Sequence, residues 1–91
     1  MLTGTQCAAG RALLRWKQGD LSDAIGQAGG KLSVTAITSF ERGGAIRGSN
    51  AGLIRQALEA AGVVLIPENG GGAGVRLRAP APVSDAVDVV E

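Results

Sequence analysis

The sequence predicts a mostly α-helical fold, in which a bundle of four to five short helices is followed by a C-terminal β-hairpin. Between residues 3 and 62, apolar residues recur at intervals of three or four, as they do on one face of a helix. After residue 62 this spacing stops, and two short strand-like runs flank a glycine-rich stretch. We therefore divide the chain into a helical domain (1–62), a hairpin (63–78) and a tail (79–91).

The first and last helices of the helical domain follow from their N-cap residues and apolar spacing. Helix one is expected over residues 3–16, with Thr5 or Thr3 as its N-cap. The last helix is expected to begin at Ser49 or Asn50, either of which is a good N-cap. Its apolar positions keep a helical period up to a terminating glycine: Leu53, Ile54, Ala57, Leu58 and Ala61.

The middle of the chain predicts two short helices joined by a turn. The first carries Leu21 and Ile25, four positions apart, and Gly26 is expected to end it. The second is expected to run from Ser33, a good N-cap, to Arg42. Its inward face would hold three apolar residues at intervals of three: Val34, Ile37 and Phe40. A short helix, a turn and a second helix with small polar residues outside are the outline of a helix-turn-helix.

This stretch resembles the XRE-type, lambda-repressor-like family of helix-turn-helix DNA-binding regulators. The resemblance covers roughly residues 6–62, about two-thirds of the chain. It departs from the family between Gly26 and Ile37, which lie eleven positions apart, so that residues 27–31 look like additional sequence. The matching residues are Arg11, Gln18, Leu21, Gly26, Ile37, Phe40, Glu41, Arg42 and Gly43.

The resemblance implies a structural ion pair and a DNA-binding surface. In the family, an Arg of the first helix pairs with the Glu of the Phe-Glu-Arg-Gly segment, which here would join Arg11 to Glu41. Two solvated surface charges are the alternative. The outer face of helix three would enter the major groove, and Gln18 would meet the DNA from a helix N-terminus. A plain solvent-exposed role is the alternative for Lys17, Gln18, Thr35, Thr38 and Ser39. The residues expected to bind DNA are Lys17, Gln18, Lys31, Ser33, Thr35, Thr38, Ser39, Arg42 and Arg47.

The outer face of helix three predicts little direct reading of bases. Ser and Thr hydroxyls can bond to bases or phosphates, and a Thr methyl can meet a thymine methyl. The Arg–guanine and Asn/Gln–adenine contacts that usually discriminate most strongly are missing from this face. Specificity would then come from DNA shape and phosphate contacts, or from the neighbouring loop.

Composition argues against catalysis and against metal or cofactor binding. The chain has one Cys and no His to act as its base, and the absence of His also disfavours most metal sites. The GxxxxGK[ST] spacing of a phosphate-binding loop is also missing around Lys31. We expect Cys7 to be a small buried residue, and the protein to be neither an enzyme nor a cofactor binder.

Charge and hydropathy point to a cytoplasmic protein with a mildly basic domain. Residues 1–78 hold nine Lys and Arg against five Asp and Glu, a net charge of +4, whereas residues 79–91 hold three acidic residues and no basic one, a net charge of −3. This asymmetry suits a nucleic-acid binder, although many unrelated domains share it. No apolar run reaches membrane-spanning length, the N-terminus does not have the pattern of a signal peptide, and a single Cys fits a reducing cytosol.

The hairpin predicts how the protein assembles, and the composition of the tail predicts disorder. An isolated two-stranded hairpin is marginally stable, and its exposed edge can pair with the same edge of another chain. We therefore expect a homodimer, perhaps sharing a four-stranded sheet, with a hairpin lying alone on the helices as the alternative. The Pro/Ala-rich acidic tail, residues 79–91, is expected to be mostly disordered.

Together these features predict a sequence-specific DNA-binding transcriptional regulator, acting as a homodimer and as a repressor, on double-stranded DNA. A second hypothesis, of another class, is a protein-interaction module, such as an antitoxin-like or anti-repressor-like protein, that uses a helix-turn-helix scaffold to bind a regulatory protein partner. The lengthened turn and the weakly basic helix three favour this second hypothesis.

Overall fold

The computed structural model describes residues 2–79, which form four helices followed by a two-stranded antiparallel sheet. The predicted small, mostly helical fold with a C-terminal hairpin is therefore confirmed at this level. All but the first residue of the predicted disordered tail lies outside the described residues. The elements are α1 (Gly4–Leu14), α2 (Gln18–Gln27), α3 (Val34–Glu41), α4 (Gly48–Ala60), β1 (Val63–Ile66) and β2 (Gly74–Leu77).

Helix α1 begins with a capping box and ends two residues earlier than predicted. Of the two candidate N-caps, Thr3 is the one used: its hydroxyl accepts from the Gln6 N–H, and the Gln6 side chain accepts from the Thr3 N–H. The helix ends at Leu14 because Arg15 takes a left-handed backbone, with φ of 58°. Trp16, expected inside the helix, lies in the short link to α2.

Helix α2 continues through Gly26, so the prediction that this glycine ends the helix is wrong. The left-handed residue is Gly29, with φ of 94°. The Gly29 N–H donates to Gly26 O, and the Gly30 N–H donates to Ile25 O, which together satisfy the last carbonyls of the helix. Part of the apparent additional sequence therefore extends α2. The remaining link to α3 is held by the Ser22 hydroxyl, which donates to the Leu32 carbonyl oxygen.

Helix α3 uses the predicted N-cap but does not bury the predicted face. The Ser33 hydroxyl accepts from the Ala36 N–H at 3.1 Å. Val34, predicted to point inward, is 43% exposed, and Ala36, which is not among the three predicted inward positions, packs against the core. The buried face is centred between Ile37 and Phe40, so that Ala36, four positions before Phe40, lies on it and Val34 lies beyond its edge.

Helix α4 begins one or two residues earlier than predicted. Its N-cap is Arg47, which makes no side-chain capping bond, so neither Ser49 nor Asn50 serves as the cap. The helix ends where predicted, because Gly62 adopts a positive φ of 107° directly after it. Its buried positions are Ala51, Ile54, Ala57 and Leu58.

The hairpin packs on α1 and α4 and completes the core. Its strands pair in a register that runs from Val63↔Leu77 to Ile66↔Gly74. Val63 and Leu65 alternate inward and are buried. The larger fully buried side chains come from every helix and from β1: Cys7, Leu21, Ile25, Ile37, Ile54, Leu58 and Val63.

Two polar contacts tie the ends of the hairpin to the helices. The Gln6 amide nitrogen donates to the carbonyl oxygens of Ile66 and Gly74, each at 3.0 Å. At the other end, the Arg78 guanidinium donates to the Glu59 carbonyl oxygen near the end of α4. Among residues 2–79, no helix is both long enough and apolar enough to cross a membrane.

Candidate nucleic-acid interface on α2 and α3

A buried ion pair joins α1 to the end of α3. Arg11 Nε donates to one carboxylate oxygen of Glu41 and Arg11 Nη2 to the other, both at 2.7 Å. The third guanidinium nitrogen, Nη1, donates to the Trp16 carbonyl oxygen at 2.9 Å. The side chains are only 18% and 8% exposed. The structure thus brings together the two residues that the resemblance paired, with the planar two-bond geometry that fixes the relative position of two helices.

The Glu41 carboxylate also accepts hydrogen bonds from Gln18 and Cys7. Gln18 Nε2 donates to Oε1 at 3.0 Å, and the Cys7 thiol donates to Oε2 at 3.1 Å. Burial alone would raise the pKa of Glu41, but the bonds from Arg11, Gln18 and Cys7 outweigh it and lower the pKa below its ordinary value. Glu41 is therefore ionised at neutral pH and holds α1, α2 and α3 together.

Two of the side chains expected to meet DNA are bonded to each other and to this cluster. The Thr38 hydroxyl lies 2.6 Å from Gln18 Oε1 and 2.9 Å from the Val34 carbonyl oxygen, so its single proton is already used. The Gln18 amide has one N–H left once Glu41 is satisfied. We call Arg11, Glu41, Gln18, Cys7 and Thr38 the Glu41 network.

The Glu41 network fixes α3 to α1 and α2 and leaves the outer surface of α3 accessible to solvent. A shallow depression of about 500 Å³ lies on this surface. We call it the α3 depression. Thr35, Ser39 and Arg42 are exposed, and the hydroxyls of Thr35 and Ser39 have no hydrogen-bond partner among residues 2–79. The α3 depression is lined by Val34, Thr35, Thr38, Ser39, Arg42 and Gly44.

The expected phosphate-binding cations are exposed and come from four different segments. Lys17 precedes α2, Lys31 lies in the link to α3, Arg42 follows α3, and Arg47 is the N-cap residue of α4. The structure brings Arg42 into the α3 depression, but no hydrogen bond joins the other three to it among the described residues. Ser33 has its hydroxyl engaged as the N-cap of α3.

The sequence pattern does not predict the roles of Gln6, Cys7 and Val34. The Thr3–Gln6 spacing is that of a capping box and could have indicated the cap, although not the contact with the hairpin. The thiol of Cys7 was expected to be buried, but nothing in the sequence indicates its bond to Glu41. The exposure of Val34 follows from the position of the buried face of α3, which a three-residue spacing alone does not determine.

A second depression, apolar and about 490 Å³ in volume, lies between α2 and α4. Trp16, Leu53 and Ala57 contribute its apolar walls, and Gln27 and Gln56 its polar edge. Among residues 2–79, no three Cys, Asp or Glu side chains lie close enough together to hold a metal ion.

Comparison with known proteins leaves the chain without a family assignment. No protein-family model matches the chain, and no curated protein matches it in a sequence search.

Proposed function

We propose that the protein is a sequence-specific DNA-binding transcriptional regulator, a cytoplasmic repressor in which α2 and α3 form a lambda-repressor-like helix-turn-helix. The observation that carries the proposal is the α3 depression, an exposed hydroxyl-lined surface on a helix that the Glu41 network fixes to α1 and α2. A DNA-recognition helix must be held in position while its outer face stays accessible. The Glu41 network and the α3 depression would meet these two requirements. In the proposal, α3 enters the major groove and its N-terminal residues face the base edges.

Phosphate contacts would provide most of the affinity. The exposed cations Lys17, Lys31, Arg42 and Arg47 lie at helix ends and in links on either side of α3. Each phosphate contact releases condensed counterions, so binding should weaken steeply as salt rises. The exposed acids Asp20 and Asp23 on α2 limit the net positive charge of this side.

We further propose that two copies join through β2. The Arg78 N–H donates to the Gly62 carbonyl oxygen, and hydrogen-bonded pairs alternate along an antiparallel ladder. The backbone groups of Val75 and Leu77 therefore point away from β1, and Leu77 is 36% exposed. Pairing of two β2 edges would produce a four-stranded sheet that spans both chains. In such a dimer, each α3 helix would bind one half-site of a pseudopalindrome. Sedimentation at twice the mass of one chain would support this assembly.

Fluorescence anisotropy with labelled duplex DNA tests the proposal. The probes are a random duplex and the DNA upstream of the protein's own coding region, each measured from low to moderate salt. Arg42→Gln with Arg47→Gln should weaken binding and reduce the magnitude of the negative slope d log K/d log [salt] by roughly 2, or about one for each lost phosphate contact. The matched control, Arg15→Gln with Arg55→Gln, removes the same charge from the end of α1 and from α4, away from the proposed β2 edge.

The two pairs of substitutions distinguish a defined DNA interface on α3 from a general electrostatic attraction between the protein and DNA. Equal weakening by both pairs of substitutions would contradict a DNA surface centred on α3. No binding to either duplex, even at low salt, would reject DNA binding itself.

The second candidate function is a protein-interaction module. The specific observation that favours it is the apolar depression between α2 and α4, because exposed apolar surface rimmed by polar groups is typical of protein interfaces. The same anisotropy experiment separates the two candidates, since this module needs no salt-sensitive complex with DNA.

A further inference from the structure

The groups left free in the α3 depression differ from those that the sequence suggests. The Thr38 hydroxyl proton is used inside the Glu41 network, and the Gln18 amide is held by that network through one N–H and its oxygen, which leaves one N–H on α2. At the start of α3, what remains is the exposed isopropyl group of Val34, together with the methyl and the hydroxyl of Thr35. The free chemistry at this end of the helix is therefore mainly that of methyl groups.

We propose that Val34 and Thr35 recognise thymine through its C5 methyl group. This inference rests on the proposed DNA-binding function and names the base that the surface would select. The N-terminal residues of a DNA-recognition helix are the ones that contact base edges, and Val34 and Thr35 are the first two residues of α3. In the major groove, only thymine presents a methyl group, and an exposed apolar side chain is the complement of that group.

Recognition of guanine or adenine at the same position fits the structure less well. Guanine is usually read by two donors from one Arg or Lys, and adenine by the amide of Asn or Gln. Arg42 directly follows the last residue of α3, at the opposite end from Val34, and Gln18 is engaged with Glu41 and Thr38. A polar base edge placed against Val34 would lose its water without gaining a hydrogen bond.

Replacement of thymine by uracil isolates the methyl group. Duplexes that bind would first be selected from a randomised pool, and each thymine of the recovered sequence would then be replaced singly by deoxyuridine. Dissociation constants would be measured by anisotropy at fixed salt. We expect one thymine in each half-site whose replacement weakens binding about fourfold, which corresponds to removing one buried methyl group from the contact.

Variants of the chain assign the contact to its residues. In Val34→Ala combined with Thr35→Ser, which keeps the hydroxyl, the same replacement should change affinity by less than about twofold, because the methyl has lost its partners. Leu13→Ala is the matched control, since it truncates another exposed apolar side chain, 39% exposed and on α1. It should keep the full preference for thymine. Thermal melting followed by circular dichroism checks that all variants fold.

The outcomes separate this inference from the function on which it rests. If the wild-type protein binds duplexes in a salt-sensitive manner but tolerates uracil at every position, the thymine contact is overturned and DNA binding stands. A preference for thymine that survives in the Val34→Ala, Thr35→Ser variant also overturns it, because the methyl contact then lies elsewhere. If no duplex is selected at all, both the function and the inference fail.

Discussion

Two Arg–Glu ion pairs occur among the described residues, and their surroundings give them different roles. Arg11 and Glu41 join α1 to α3, with side chains 18% and 8% exposed, and the pair belongs to a network that includes Gln18. Arg55 and Glu59 lie one turn apart on α4, each 43% exposed, and are joined by a single bond at 3.1 Å. The contribution of such a pair to stability therefore depends on the number of its protein partners and on its loss of water, rather than on the charges alone.

Removal of each carboxylate should give the largest contrast between the two pairs. Glu41→Ala leaves the Arg11 guanidinium largely buried with one bond to the Trp16 carbonyl oxygen, and we expect a loss of about 3 kcal/mol in the free energy of unfolding. Glu59→Ala should cost roughly 0.3 kcal/mol, because its pair is exposed. Urea denaturation at pH 7 measures both changes.

A double substitution shows whether the loss comes from the unpaired charge. Arg11→Met with Glu41→Leu removes both charges and keeps the volume, so it should cost less than Glu41→Ala alone. Similar losses for Glu41→Ala and Glu59→Ala would show that burial does not distinguish the two pairs.

Alanine substitutions at glycines near the two ion pairs should change the stability of the fold in opposite directions. A Cβ on Gly4 would overlap the carbonyl oxygen of Phe40, where α1 crosses the end of α3, so Gly4→Ala must separate two backbones and should destabilise the fold by about 2 kcal/mol. A Cβ on Gly52, in the same helix as Arg55, would meet nothing within 4 Å, so Gly52→Ala should stabilise the fold by about 0.8 kcal/mol through helix propensity. Melting temperatures of the two variants that move in the same direction would contradict this contrast.

The sequence could predict the features that depend on local pattern. Helical spacing and cap residues predict four to five helices, of which four form among the described residues, and the change of period after Gly62 predicts the hairpin. Gly26 and Gly29 show the limit, because both are compatible with a helix end and only the second takes the left-handed backbone that closes α2. The pairing of Arg11 with Glu41, thirty positions apart, was expected from the resemblance alone and not from spacing.

The candidate site depends on contacts that no local pattern encodes. Whether Gln18 and Thr38 face solvent or each other is decided by the packing of α2 against α3, and a rotation of a few tens of degrees would change it. The exposure of Val34 has the same origin. The Gln6 side chain reaches carbonyl groups 60 and 68 positions away, which only the docked hairpin places within range.

The thiol beside the buried pair should make the fold sensitive to alkali, with a smaller effect than Glu41→Ala or Gly4→Ala. Burial raises the pKa of Cys7 to about 12, and its bond to the Glu41 carboxylate adds to this shift. In the unfolded chain a thiol titrates near pH 8.5, so above that pH unfolding releases a proton and the stability that this thiol contributes falls as pH rises. Between pH 8 and pH 9.5 we expect a loss of about 1 kcal/mol in the free energy of unfolding, measured by urea denaturation. Cys7→Ala should remove this slope, whereas Glu59→Ala should keep it, because the exposed pair on α4 has no thiol beside it. An equal slope in the wild type and in Cys7→Ala would assign the alkaline loss to another group and separate the thiol from the stability of the α1–α3 contact.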